Sequence, residues 1–206
     1  MKFLTLIIVL VLLPAAVPAN AGDIPQAVAG FVLDQDIAGI HNRLQMDSVL
    51  PLRYQEYLQE VEIAPLSGFK SGLITYGTCA RPGRIVRIKL KYLKSDRAFY
   101  EALLERVKDR FGAPTVYDGD PFHIVIEWKW SFVDADGRRI TLHLSHNSRD
   151  TEEKFGNSVK LTLASAIDQE RQCFRDRNSR QQPSKAEPRP PLNSMTEEDW
   201  KALMPQ

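Results

Sequence analysis

From Phe122 to Val133 the chain alternates between apolar and polar side chains almost without a break. Phe122, Ile124, Ile126, Trp128, Trp130 and Phe132 stand against His123, Glu127, Lys129 and Ser131. Successive side chains of a strand point to opposite faces, so period two over this length predicts a strand with one apolar face and one wet face. The same signature recurs at Ile85–Leu93, where Val86, Ile88, Leu90 and Tyr92 oppose Arg87, Lys89 and Lys91. It returns at Ile140, Leu142 and Leu144, after a turn at Asp134-Ala135-Asp136-Gly137, and at Val159, Leu161 and Leu163. Two further strands are read at Tyr54–Ile63 and Phe69–Thr78, joined by a turn through Pro65 and Gly68. The first of these also fits a helix, with Tyr54, Tyr57, Leu58 and Val61 on one side.

Strands with a single apolar face belong to an antiparallel sheet covered on that side alone. The cover is supplied by helices. Phe99, Leu103, Val107 and Phe111 repeat every four residues behind a cap at Ser95, with Tyr100 and Leu104 widening the stripe and Gly112 and Pro114 ending it. An earlier helix is expected behind Asp34 or Asp36, with Ile37, Ile40 and Leu44 on one face. A later one is expected from about Ser165 to Arg175, with Ile167, Arg171 and Phe174 together. The order α-β-β-β-α-β-β-β-α predicts an α+β two-layer sandwich: one antiparallel sheet of about six strands with helices on one face. With its helix closing on Phe111-Gly112-Ala113-Pro114 before the second set of strands, Phe31–Phe174 resembles exported β-lactamase-inhibitor-like and outer-membrane-assembly accessory domains. That resemblance concerns element order, and no function is carried over from it.

The N-terminus predicts export. Lys2 precedes an apolar run from Phe3 to Leu13, Pro14 breaks the run, and Ala19-Asn20-Ala21 gives a small-x-small cleavage site before Gly22. A run of about 11 residues suits a signal peptide and falls short of the ~20 that span a bilayer. Residues 1–21 are therefore expected to be removed, leaving an α+β domain over 22–175 that is periplasmic or secreted and not embedded in a membrane. In an oxidising compartment the only two cysteines, Cys79 and Cys173, are expected to pair. Such a bond closes a loop of about 95 residues, which the chain-entropy view values at roughly 4–5 kcal/mol. Two buried free thiols are the alternative.

Charge excludes some partners. The chain has 27 basic and 26 acidic residues, and loss of Lys2 with the signal peptide makes them equal. A general nucleic-acid binder carries a large positive excess, so none is expected here. Locally the picture differs. The polar face of the sheet is expected to carry Arg87, Lys89, Lys91, Lys129, Arg139 and Lys160, together with His123 and His143, and with Glu127 as its lone acid. That concentration is read as a binding face for another envelope protein or an acidic polymer. A lysine-rich outer face that keeps the sheet hydrated and discourages edge pairing explains the same pattern.

Catalytic signatures are missing: the chain has no G-x-S-x-G, no H-E-x-x-H and no P-loop. His123 and His143 lack a third ligand for a metal, and Asp118-Gly119-Asp120-Pro121 reads as a turn. No catalytic residue, metal or cofactor is expected, and the reading is a non-catalytic binding or accessory protein of the envelope. An enzyme with a dispersed site on the same face is the alternative.

Beyond the domain, residues 176–193 are rich in Pro, Arg and Gln, the composition of a solvated linker. Residues 194–206 form a short amphipathic tail, with Thr196 as cap and Trp200, Leu203 and Met204 on one side. Such a turn suits a docking peptide, or else folds back on its own domain.

Overall fold

The structure, a computed structural model, describes residues 23–149, 155–181 and 195–203. The expected signal peptide, Met204 and residues 182–194 of the expected linker and tail lie outside them. The described chain opens with a small hairpin, β1 (Ala27–Val28) and β2 (Phe31–Val32), and a 3₁₀ helix (Ile37–Arg43). Four strands follow: β3 (Leu44–Leu52), β4 (Gln55–Ile63), β5 (Phe69–Gly77) and β6 (Ile85–Tyr92). After helix α1 (Arg97–Phe111) come β7 (Val116–Tyr117), β8 (Val125–Val133), β9 (Arg139–Asn147) and β10 (Gly156–Leu163), then helix α2 (Ala164–Gln181) and a short α3 (Glu197–Leu203).

The α+β reading holds: β3 to β10 build one antiparallel sheet in the order β3-β4-β5-β6-β10-β9-β8-β7. It has eight strands where about six are expected. Both additions are edge strands with weak patterns. β3 contains Pro51 and its pairing with β4 is irregular in two places, so no clean alternation marks it. β7 is two residues long. Each meander of four strands ends in a helix, and the two meanders meet where β6 pairs with β10. Lys89 and Lys160 face each other in that central pairing.

Ile88, Leu90, Ile126, Trp130, Ile140, Leu142, Leu144, Val159, Leu161 and Leu163 are all buried in one core with Ala166 and Ile167 of α2 and Tyr100 and Leu104 of α1. The covered face is the one that alternation selects. Within α1 the buried positions are Tyr100 and Leu104, while Phe99, Leu103, Val107 and Phe111 are half-buried on the flank. Asp96, one residue after the expected Ser95, caps the helix by accepting from Phe99 N–H at 2.8 Å. Gly112 ends it with φ 80°, in the left-handed region that favours glycine, and its carbonyl accepts from Trp130 Nε1 at 2.8 Å.

Three expectations need correction. The first helix is a 3₁₀ segment behind Asp36, whose side chain accepts from Ala38 N–H; non-helical backbone angles at Ile40 (φ −130°, ψ 15°) interrupt it, and β3 begins at Leu44. α2 continues to Gln181, past the expected end at Arg175, so the linker composition does not stop the helix there. β8 begins only at Val125, because the Asp120 carboxylate accepts from Phe122 N–H at 2.8 Å and from Val125 N–H and prolongs the turn. Phe122, expected in the core, is 84% exposed as a result.

Cys79 and Cys173 form a disulfide, with Cα atoms 5.8 Å apart and a sequence separation of 94. Beside it lies a feature the sequence gives no sign of. Glu170, one helical turn before Cys173 on α2, is 1% exposed. Its carboxylate accepts from the backbone N–H groups of Thr78 (3.1 Å), Cys79 (2.6 Å), Ala80 (3.0 Å) and Arg81 (2.6 Å). A buried carboxylate is tolerable when hydrogen bonds replace its hydration, and here four do. A Cβ at Gly77 would overlap this carboxylate, so the strand end needs glycine. Disulfide and carboxylate together fasten the segment after β5 to α2.

Candidate functional site

The uncovered face of the sheet can be read rung by rung from the strand register. One rung runs Glu60, Thr75, Arg87, Thr162, Thr141, Ser131 from β4 to β8. The next runs Glu62, Leu73, Lys89, Lys160, His143, Lys129. A third runs Ser71, Lys91, Ser158, Ser145, Glu127. Along β6, Arg87, Lys89 and Lys91 thus form a line of cations in two-residue steps, roughly 7 Å apart.

This face is hollow. Two adjoining cavities lie over it and share Leu73, Lys89, His143 and Lys160. The smaller, about 480 Å³, is lined by Arg87, Thr141 and Thr162 in addition, with Glu60 at its side. The larger, about 820 Å³, is lined by Lys91, Glu127 and the serines Ser71, Ser145 and Ser158, among others. Apart from Leu73, Val125 and two glycines the lining residues are polar or charged, and their aliphatic stems add apolar surface to the larger cavity.

Arg87, Lys89, Lys91, Lys129, His143 and Lys160 all belong to these rungs, as the alternation expects. Lys89 is exposed, and the Lys160 side chain is 35% exposed. Two residues leave the face. His123 sits in the loop before β8 at φ 55°, exposed and against the Tyr117 ring, because the Asp120 turn delays the strand. Arg139, at the first position of β9, reaches round the sheet end to Asp168 of α2 at 2.5 Å.

Glu127 is not the lone acid on this face. Glu60 and Glu62 project from β4, and Asp118 lies beside Glu127, its N–H donating to the Glu127 carbonyl at 2.8 Å. The missed β4 acids were accessible to the same reasoning: alternation that buries Val61 and Ile63 sends Glu60 and Glu62 the other way. Reading that segment as an ambiguous helix or strand hid them.

Charges on the two sides of the groove are balanced differently. On the β8 side Glu127 hydrogen-bonds His143 Nδ1, and Lys160 Nζ lies 3.7 Å from the same carboxylate. The hydrogen bond from His143, opposed by burial and assisted by Lys160, holds the Glu127 carboxyl below the usual glutamate range. Asp118, Glu127 and His143 bring potential ligand atoms within 4.8 Å of one another. On the β6 side Arg87 and Lys89 have less company. Among the described residues, no carboxylate lies within ion-pair distance of either. Burial pushes the Arg87 guanidinium below its ordinary value, with Glu60 and Tyr57 offsetting part of that cost.

The tail carries a short helix over the described part of the expected docking segment. α3 is capped as a box: Thr196 Oγ1 accepts from Asp199 N–H at 3.3 Å, and Asp199 Oδ2 accepts from Thr196 N–H at 2.7 Å. Trp200 is exposed. No helix among the described residues is long and apolar enough to cross a membrane.

Compared with known proteins, the chain matches no family model, no curated protein and no solved structure. The function has to be argued from the groove itself.

Proposed function

We propose that this is an exported, non-catalytic binding protein of the cell envelope, periplasmic or secreted, whose hollow sheet face holds an acidic polymer along β6 and β10. The observation that carries the reading is the direct juxtaposition of Lys89 and Lys160 at the sheet centre. Like charges directly opposite on one face destabilise a sheet, so their placement on the floor of a groove makes sense as recognition of negative charge. The line Arg87, Lys89, Lys91 extends that floor in even steps, which suits an extended repeating anion. A folded protein partner usually anchors on buried aromatic or aliphatic residues, and this groove offers little beyond Leu73 and Val125. The disulfide supports an oxidising, extracytoplasmic setting. Immobilised dextran sulfate tests the reading. The natural protein should be retained and eluted by salt, and the Lys89→Glu, Lys160→Glu double variant should pass through. Equal retention of both would refute it.

One observation favours a second reading, the enzyme with a dispersed site on the same face: the approach of Asp118, Glu127 and His143. A divalent cation held there would have to draw Glu127 away from Lys160. Zinc or manganese that raises Tm in the natural protein and not in His143→Ala supports that reading; no shift with either metal removes it.

A further inference from the structure

The smaller cavity differs from the rest of the groove in its chemistry. It combines a guanidinium, two ammonium groups and two hydroxyls: Arg87, Lys89 and Lys160 with Thr141 and Thr162. Arg87, Thr162 and Thr141 are consecutive across one rung, and Lys89 and Lys160 are adjacent across the next. The five side chains therefore surround a single depression. Its one carboxylate, Glu60, is turned to its own neighbour, Oε2 accepting from Thr75 Oγ1 at 3.2 Å. Among the described residues, Arg87, Lys89 and Lys160 stand against Glu60 and against Glu127, which lies 3.7 Å from Lys160, so one positive charge is in excess around the cavity.

Arg87 is the telling member. It is half-buried, yet among the described residues its guanidinium makes no hydrogen bond and no ion pair. A guanidinium presents five N–H donors in a planar fork that matches oxyanions, and leaving it desolvated without an acceptor is costly. The hydroxyls of Thr141 and Thr162 add neutral donors on the other side of the same space. Such a mixture of fork, point charges and hydroxyls matches a tetrahedral oxyanion, with oxygens in three directions, better than a planar carboxylate.

We infer that this cavity is a subsite for a phosphate or sulfate group, the charged substituent of the acidic polymer. Arg87 grips two of its oxygens, Thr141 and Thr162 donate to a third, and Lys89 and Lys160 neutralise it from the floor. The inference rests on the groove reading and sharpens it from acidic polymer to polymer bearing tetrahedral oxyanions. The depression is open to solvent, which leaves space for the unit that carries the group.

Small anions at matched ionic strength give the test. Inorganic phosphate and sulfate, added to the full mature chain, should produce saturable amide shifts at Arg87, Thr141 and Thr162 in NMR spectra. Acetate should need at least ten times the concentration for half-saturation. Arg87→Gln should weaken both tetrahedral anions at least tenfold; Thr141→Val serves as a second variant and should weaken them several-fold. Shifts that are linear and shared by acetate, or unchanged in both variants, would overturn the subsite. Dextran sulfate separates this failure from failure of the wider reading. If the natural protein is retained and small anions do not discriminate, the subsite falls and the groove stands. If the natural protein is not retained, the groove reading falls and takes the subsite with it. Phosphate arms with inorganic phosphate and with polyphosphate, set beside the sulfate arms, say which of the two groups the site prefers.

Discussion

Two polar regions of the molecule treat charge in opposite ways. Behind β5, one carboxylate, Glu170, meets four backbone donors and is sealed beside the disulfide. On the open face Arg87 and Lys89 stand in a groove with no carboxylate at ion-pair distance among the described residues, and Lys89 faces another lysine. The first arrangement uses polar groups to hold the chain in place, because every buried group there finds its complement inside the fold. The second leaves complementarity incomplete. A site that must receive a ligand forgoes internal partners and some stability with them. Satisfied polar groups mark construction, and unsatisfied ones at the surface mark recognition.

Substitutions in the two regions should therefore separate stability from binding. The largest loss is expected on removing the disulfide. Cys79→Ala with Cys173→Ala should cost roughly 4–5 kcal/mol in urea unfolding, the chain-entropy value for a loop of this length. Glu170→Ala should cost about 3 kcal/mol or more, since four donors lose their acceptor in a site that excludes water. If that variant were as stable as the natural protein, the contrast between the regions would collapse. Gly77→Ala should lose about 2 kcal/mol, because the new methyl group displaces the same carboxylate.

At the border of the groove the effect is smaller and depends on pH. The Glu127 carboxyl is held below its ordinary value in the folded chain, so it contributes stability that is present above the unfolded value. That contribution disappears as pH falls through the folded value. Glu127→Gln should be less stable by about 1–2 kcal/mol at pH 7, with the difference vanishing in acid below the ordinary glutamate range. An undiminished difference there would mean that Glu127 acts through packing. Lys89→Gln should show the smallest change and of opposite sign, a gain of a few tenths of a kcal/mol as the like-charge pair is relieved.

Much of this fold is written in alternation. Ile126, Trp130 and Ile140 are buried and Lys89 and Lys129 project because a strand has two faces, and one residue of slip would reverse them all. Where a side chain interferes with the backbone, periodicity fails as a guide. Asp120 delays β8 and strands Phe122 and His123 outside the sheet, and Pro51 accompanies an irregular edge strand. Cys79 and Cys173 were pairable by count alone. Glu170 was not legible, since its partners are backbone groups about ninety positions away that only the folded chain brings near. The hollow over Arg87, Thr141 and Thr162 was likewise invisible: the sequence says which residues share a face, whereas only the folded sheet shows that they line one cavity.

The most direct measurement compares the natural protein with its Lys89→Gln, Lys160→Gln double variant, by dextran sulfate affinity and by urea unfolding on the same samples. A central lysine pair kept for recognition predicts at least a tenfold loss of affinity in a variant whose stability changes by no more than a few tenths of a kcal/mol, since relief of the like-charge pair offsets loss of the Lys160–Glu127 contact. Undiminished affinity, or a loss of affinity matched by an equal loss of stability, would contradict it.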